Sequence, residues 1–379
     1  MEFNKSLFID PKIQYPDLKS NLEFEDYILK SQNIIKSYRK DLTNDLADTI
    51  IKANTPFELK PSGQNTKSQA ALLIHGLLDS PLHLSDIGKL LQNKGLLVRS
   101  MLLNGHGTIP GALLNTKYTN WLESAKYGVE SLAKEVNKIF LVGLSTGGAI
   151  SLHPEILKHP KIAGIILFAP AIKIKSKLAA VSFYYKYLPW SNWESAWIHP
   201  SPDETIDYAK YRSMPLNAVY QVYKLTKDLD KRQPGCPIFA ALSEDDKTIC
   251  ANSALNYFHN HTNPESKMIL YSTKPKKYKD IRIEARQSHY DDLRIKNFSH
   301  TCIQLSPENT HYGAHGDYKF ASHIDTEKNI VYGEFDRVDI MKNQKMREHK
   351  LTNLEYQRLS YNPDFKYMSQ SILDFIDRC

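Results

Sequence analysis

The stretch "KIFLVGLSTGGAIS" (138–151) leads an unbroken apolar run into Gly143-Leu144-Ser145-Thr146-Gly147. A serine with glycine two places before and two after it, where a buried strand turns into a helix, can be held in a strained backbone geometry. Side chains at 143 and 147 would obstruct that turn. The hydroxyl is then presented at a helix N-terminus, where free N–H groups and the helix dipole favour negative charge. This is the setting of a nucleophile that attacks a carbonyl carbon, although the same glycines also suit a plain tight turn. A serine hydroxyl needs a base, and the base needs an orienting acid. Downstream, "FAALSEDDKTI" (239–249) runs from apolar residues into Glu244-Asp245-Asp246, and "DLRIKNFSH" (292–300) runs into His300. Strand alternation does not separate Asp246 from Asp245. Acyl transfer also calls for donors to a developing oxyanion, each worth on the order of 10²–10³ in rate. The backbone N–H of Thr146 is one candidate. "LLIHGLLDSP" (72–81) offers the N–H of Leu77 as the other, with Gly76 allowing close approach and His75 read as a residue that pins the loop.

The elements that must carry these residues alternate along the chain. Strands are expected at 70–76, 96–102, 138–144, 162–170, 236–246, 267–273 and 292–300, and helices at 86–95, 120–136, from Ser145 to about Leu157, and 368–378. Near-continuous apolar strands separated by amphipathic helices imply an α/β fold, with a mostly parallel sheet covered by helices on both faces. Helical spacing at Leu22, Tyr27, Ile28, Ile34, Ile35, Leu42, Leu46 and Ile50 marks residues 1–67 as an N-terminal helical extension, closed by the polar cluster "KPSGQNTKSQ". The core then comprises 68–170 and 236–379. Aromatic-rich residues 171–235 form an insertion of helices, and about 306–362 is a long polar stretch without an assignment.

With 379 residues, 41% of them hydrophobic, the chain can bury a substantial core, which argues against general disorder. A net charge of +7 without an arginine-rich block gives no case for nucleic acid. Cys236, Cys250, Cys302 and Cys379 form no paired motif and read as free thiols. The N-terminus lacks a secretory pattern and no run reaches spanning length, so a cytoplasmic location is expected. Neither a cofactor nor a metal is implied: the glycines around Ser145 lack the Gly-Lys-Ser/Thr ending of a phosphate loop, and His289, His311 and His315 lack ligand spacing.

Taken together, "HGLLDSP" (75–81), "NGHGTIPGAL" (104–113), Trp121, "VGLSTGGAI" (142–150) and "LSEDDKTI" (242–249) occur in an order that resembles the α/β-hydrolase superfamily. Within it the chain is similar to the carboxylesterase, monoacylglycerol lipase and lysophospholipase-like branch. The likeness covers roughly 68–302 and the last helix. It implies a serine hydrolase cleaving carboxylic esters through an acyl-enzyme on Ser145, with His300 as base. It also favours Asp246 as the acid, because Ser243, Asp246 and Ile249 fill the places of that branch's Gly-x-x-Asp-x-x-Val loop. The insertion 171–235 would be a lid over a pocket for a small ester with an apolar acyl group. The alternatives are amide or peptide hydrolysis or acyl transfer on the same residues, or a non-catalytic binding protein. Departures are Ser243 in place of glycine, a longer approach to His300, and the stretch 306–362.

Overall fold

Runs of consecutive apolar residues settle into strands that are buried on both faces, as expected where helices cover a parallel sheet. A computed structural model describes residues 4–19, 21–43, 45–61, 68–173, 193–199, 201, 204, 206–229, 234–261, 263–318, 329–335 and 337–379. The chain divides into two units, Met1–Ile165 with Ser176–Pro234, and Ile166–Lys175 with Gly235–Cys379.

In the first unit, strands β2 (Gln69–Ile74), β3 (Leu97–Met101) and β4 (Lys138–Leu144) are parallel with β2 in the middle, and β1 (Phe57–Leu59) is antiparallel to β3. Ala70 to Ile74 have no exposed surface, and each large apolar side chain so buried contributes about 1.5–3 kcal/mol. The helices α3 (Ser85–Asn93) and α4 (Tyr118–Ala133) supply the crossovers.

Upstream lie α1 (Phe24–Tyr38) and α2 (Ala47–Asn54). The buried positions of α1, Phe24, Tyr27, Ser31 and Ile35, recur every three or four residues and make one face. From that face the Tyr27 hydroxyl donates to Leu102 O at 2.8 Å and accepts the Leu102 N–H at 3.2 Å. Burial raises the phenol well above its ordinary value, so it stays a donor. Residues 1–67 are therefore not helical throughout, since Phe57–Leu59 join the sheet.

The helix after Ser145 is shorter than its apolar run suggests. Helix α5 (Thr146–Ser151) stops, and α6 (Pro154–Leu157) starts afresh. Pro154 has no N–H to continue the ladder, and the His153 ring caps the new turn by accepting the Glu155 N–H at 3.2 Å. In the segment read as an insertion, β6 (Trp197–His199) pairs with β7 (Met214–Pro215), and a helix follows at Leu216–Asp228. Residues 174–192 of that reading, including "KLAAVSF" (177–183), lie outside the described residues.

Strand β5 (Ile162–Phe168) carries the chain from the first unit into the second. There β8 (Ile238–Ser243), β9 (Lys267–Ser272) and β10 (Ile283–Gln287) are parallel in that order. Strand β10 replaces the strand expected at 292–300. That segment is made of turns, with Arg294 at φ +53° and Ile295 forming only isolated bridges to Tyr290 and Tyr332. The stretch 306–362 holds two parallel strands, β11 (Ile330–Gly333) and β12 (Glu355–Arg358), with a helix at Arg337–Glu348 between them. The last helix, Phe365–Arg378, buries Met368, Ile372, Phe375 and Ile376, and Arg286 of β10 grips Asp364 at its start through two hydrogen bonds of 2.5 and 2.8 Å. The chain has the α/β-hydrolase fold, built on parallel strands joined by helices.

Candidate active site

Ser145 sits between β4 and α5 at φ +51° and ψ −110°, a backbone state that non-glycine residues rarely adopt. Such geometry costs about 1–3 kcal/mol and persists only where the surroundings enforce it. The two flanking glycines show how. A Cβ on Gly147 would lie 1.9 Å from Ile74 O, and one on Gly143 would lie 2.5 Å from the Gly147 carbonyl carbon. Ile74 and Gly143 are register partners across β2 and β4, so the turn is wedged against the neighbouring strand. Gly147→Ala should lower stability by about 3 kcal/mol, the upper end for an overpacked site. Urea unfolding would check this; a midpoint equal to the wild type's would show that the turn has room.

The loop after β2 lies against the same serine: a Cβ on Gly76 would come 3.3 Å from Ser145 Cβ and 2.4 Å from an Asp79 carboxylate oxygen. Two buried histidines hold this loop. His75 Nδ1 meets Gly76 O at 2.8 Å and its Nε2 accepts the Leu103 N–H at 3.1 Å. His106 Nδ1 meets Leu103 O and Asn104 O, both at 3.2 Å, and its Nε2 accepts the Leu78 N–H at 3.1 Å. One ring nitrogen must donate and the other accept, which is the neutral form. Burial, reinforced by His106, pushes His75 down to about 3, and burial pushes His106 down to about 4. Both rings are thus backbone props that stay uncharged at neutral pH.

Leu77, half-buried, sits in this turn, followed by Leu78 at φ +69°. Tyr211 adds a further tie by donating its N–H to Leu78 O at 2.9 Å. Asp79 closes the turn, and Lys210 donates to its carboxylate. Burial alone would raise the Asp79 carboxyl, but Lys210 and His83 overcome it and hold the group well below the ordinary range. Thr146, buried, is the first residue of α5, where first-turn N–H groups have no acceptor within the helix.

In the second unit, Asp246 and His300 meet. Asp246 is 1% exposed. Its Oδ1 accepts the N–H groups of Thr248 at 2.7 Å and Ile249 at 3.0 Å, which leaves Oδ2 for His300 Nδ1 at 2.6 Å. Burial would push this carboxyl up, yet His300 and the two N–H donors more than offset it and hold it below its ordinary value. Of the three acids in the loop, the hydrogen bond to the ring comes from Asp246. The Asp245 carboxyl is instead pushed up by burial and by Glu244, and Glu244 accepts from the Ser272 hydroxyl at 2.6 Å. Elsewhere His311 pairs with Asp317. Among the described residues no group of three or more His, Cys, Asp or Glu could hold a metal ion.

Several supporting residues escaped the sequence reading. His106 and Asp79 lie inside "NGHGTIPGAL" and "HGLLDSP", family-like motifs in which the sequence alone gives these two residues no role. Lys210 and Glu334 belong to no motif. Glu334, 2% exposed, accepts the His300 backbone N–H at 2.8 Å.

Parallel strands with a serine of positive φ between β4 and α5 in the first unit, and a buried Asp–His pair in the second, are the features against which relatives can be compared. A family model described as "Serine aminopeptidase, S33" matches residues 65–274, more than half of the chain, and the chain belongs to that family. It is similar to a thermostable monoacylglycerol lipase of Bacillus sp., at 30% identity over 111 residues that make up 29% of this chain and 44% of the relative. It is also similar to a carboxylesterase of Bacillus subtilis, at 25% identity over 58% of this chain and 88% of the relative. Among solved structures, a chain of the metagenome-derived lipolytic enzymes LipS and LipT aligns with TM-score 0.48 and 19% identity, covering 57% of this chain and 86% of its own. No helix among the described residues is long and apolar enough to cross a membrane.

Proposed function

We propose that this hydrolase cleaves carboxylic esters through an acyl-enzyme on Ser145. His300 takes the hydroxyl proton as Ser145 attacks, then gives it to the leaving alcohol, and water releases the acid by the reverse sequence. Asp246 keeps the ring in the tautomer whose Nε2 can accept. The N–H groups of Leu77 and Thr146 receive the oxyanion. The observation that carries this reading is the buried Asp246–His300 hydrogen bond of 2.6 Å, with Asp246 fixed by two backbone donors. A lipase and a carboxylesterase among the relatives favour a small ester with an apolar acyl group as substrate. The aminopeptidase description of the family favours amide hydrolysis on the same residues as the second reading.

The test is turnover of p-nitrophenyl esters from acetate to palmitate beside amino-acid p-nitroanilides, with fluorophosphonate labelling in parallel. Ester turnover with labelling at Ser145 is the expected result, and the preferred chain length reports pocket depth. Preference for anilides would promote the second reading. Absence of both turnover and labelling would overturn the catalytic proposal.

A further inference from the structure

The stretch 306–362 exceeds the short link that joins histidine to last helix in the branch this chain resembles, and its packing gives it a task. Strand β11 lies along the segment that leads to His300: Tyr332 donates its N–H to Arg294 O at 3.0 Å, and Lys296 donates to Tyr332 O at 2.8 Å. One residue past the strand, Glu334 donates its N–H to Asn297 Oδ1 at 2.7 Å while its own Oε2 accepts the His300 N–H at 2.8 Å. Leu359, one residue past strand β12, closes the cradle: its O accepts the Ser299 hydroxyl at 2.6 Å and its N–H donates to Gly333 O at 3.0 Å. The Glu334 carboxylate is buried, and its Oε1 is ion-paired with the Arg358 guanidinium at 3.5 Å but takes no hydrogen bond among the described residues. A buried carboxylate is costly where a main-chain carbonyl would serve. Placing one on the N–H of His300 fixes that residue from behind while Asp246 fixes its ring.

We propose that Glu334 is a positioning residue for His300 and that the added stretch exists in part to deliver it. This rests on the role proposed for His300. The test compares Glu334→Ala, which loses the acceptor, Glu334→Asp, which withdraws it by one methylene, and Glu334→Gln, which keeps an acceptor oxygen. With a p-nitrophenyl ester, kcat should fall 10- to 10²-fold in the Ala and Asp variants, roughly the cost of misplacing a catalytic group by about 1 Å. KM should hold steady, and Gln should restore most of the rate. In parallel, the downfield proton resonance of the His300–Asp246 hydrogen bond should persist in wild type and Gln and shift or vanish in Ala and Asp. The proposal is overturned if folded Ala and Asp variants keep the wild-type kcat and resonance, if the loss falls on KM, or if Gln is as poor as Ala. Should Glu334→Ala not fold, Glu334→Asp decides. A wild type without turnover but with the resonance pattern intact would defeat the proposed function and leave the positioning role standing.

Discussion

Ser145→Ala is expected to lower kcat for ester hydrolysis by on the order of 10⁶-fold, the scale seen when a serine nucleophile is removed from a unit of three cooperating residues. Alanine keeps the Cβ that Ser145 presents to Gly76 and keeps φ near +51°, so the fold should be undisturbed. Residual turnover would come from binding and oxyanion donors alone. The measurement is kcat on the best p-nitrophenyl ester, with near-UV circular dichroism to confirm folding and fluorophosphonate to exclude wild-type carry-over. Activity within tenfold of wild type, with labelling retained elsewhere, would remove Ser145 from the chemistry.

Asp246→Asn should cost about 10⁴-fold in kcat, the loss associated with the wrong imidazole tautomer. The structure gives the reason. Thr248 and Ile249 both direct N–H groups at Oδ1, and those buried donors need an acceptor, so they hold the amide oxygen of the replacement. The amide nitrogen then faces His300 Nδ1, which must accept instead of donate, and the ring proton moves to Nε2. A ring protonated there cannot take the serine proton. Asp245→Asn, one residue away, should leave kcat near wild type because the bond to the ring comes from Asp246. Equal losses in both variants, or a loss only at 245, would reassign the acid.

How much could be read from the sequence followed the kind of signal each element carries. Strand β4 occupies 138–144 as read, and β2 and β9 fall within a residue or two, because fully buried parallel strands are continuous apolar runs. Strand β10 was missed for the complementary reason: "IEARQ" buries only Ile283 fully and pairs with β9 through its backbone. "DLRIKNF" misled because Ile295 and Phe298 are buried in turns, where apolar residues also pack. The break at Pro154 was legible and was overrun by the apolar run before it. At the site, the glycine spacing around Ser145 had a local steric cause and could be read. The choice of Asp246 over Asp245 came only through the family's loop pattern, because strand alternation carries no trace of a hydrogen bond to a residue 54 positions away. Glu334 sits farther still from any motif, in a stretch whose polar composition hid two strands.

The backbone of Ser145 carries a last consequence, one for anyone who breeds this enzyme in the laboratory. Its positive φ is a state that glycine adopts freely and serine only under strain. The position on which the chemistry is proposed to depend is therefore also one where the folded chain gains by giving up its side chain. Selection scored on heat resistance alone would drift toward glycine at 145 and return robust, inert protein. Only a screen that demands turnover in every round keeps the strain, and with it the nucleophile.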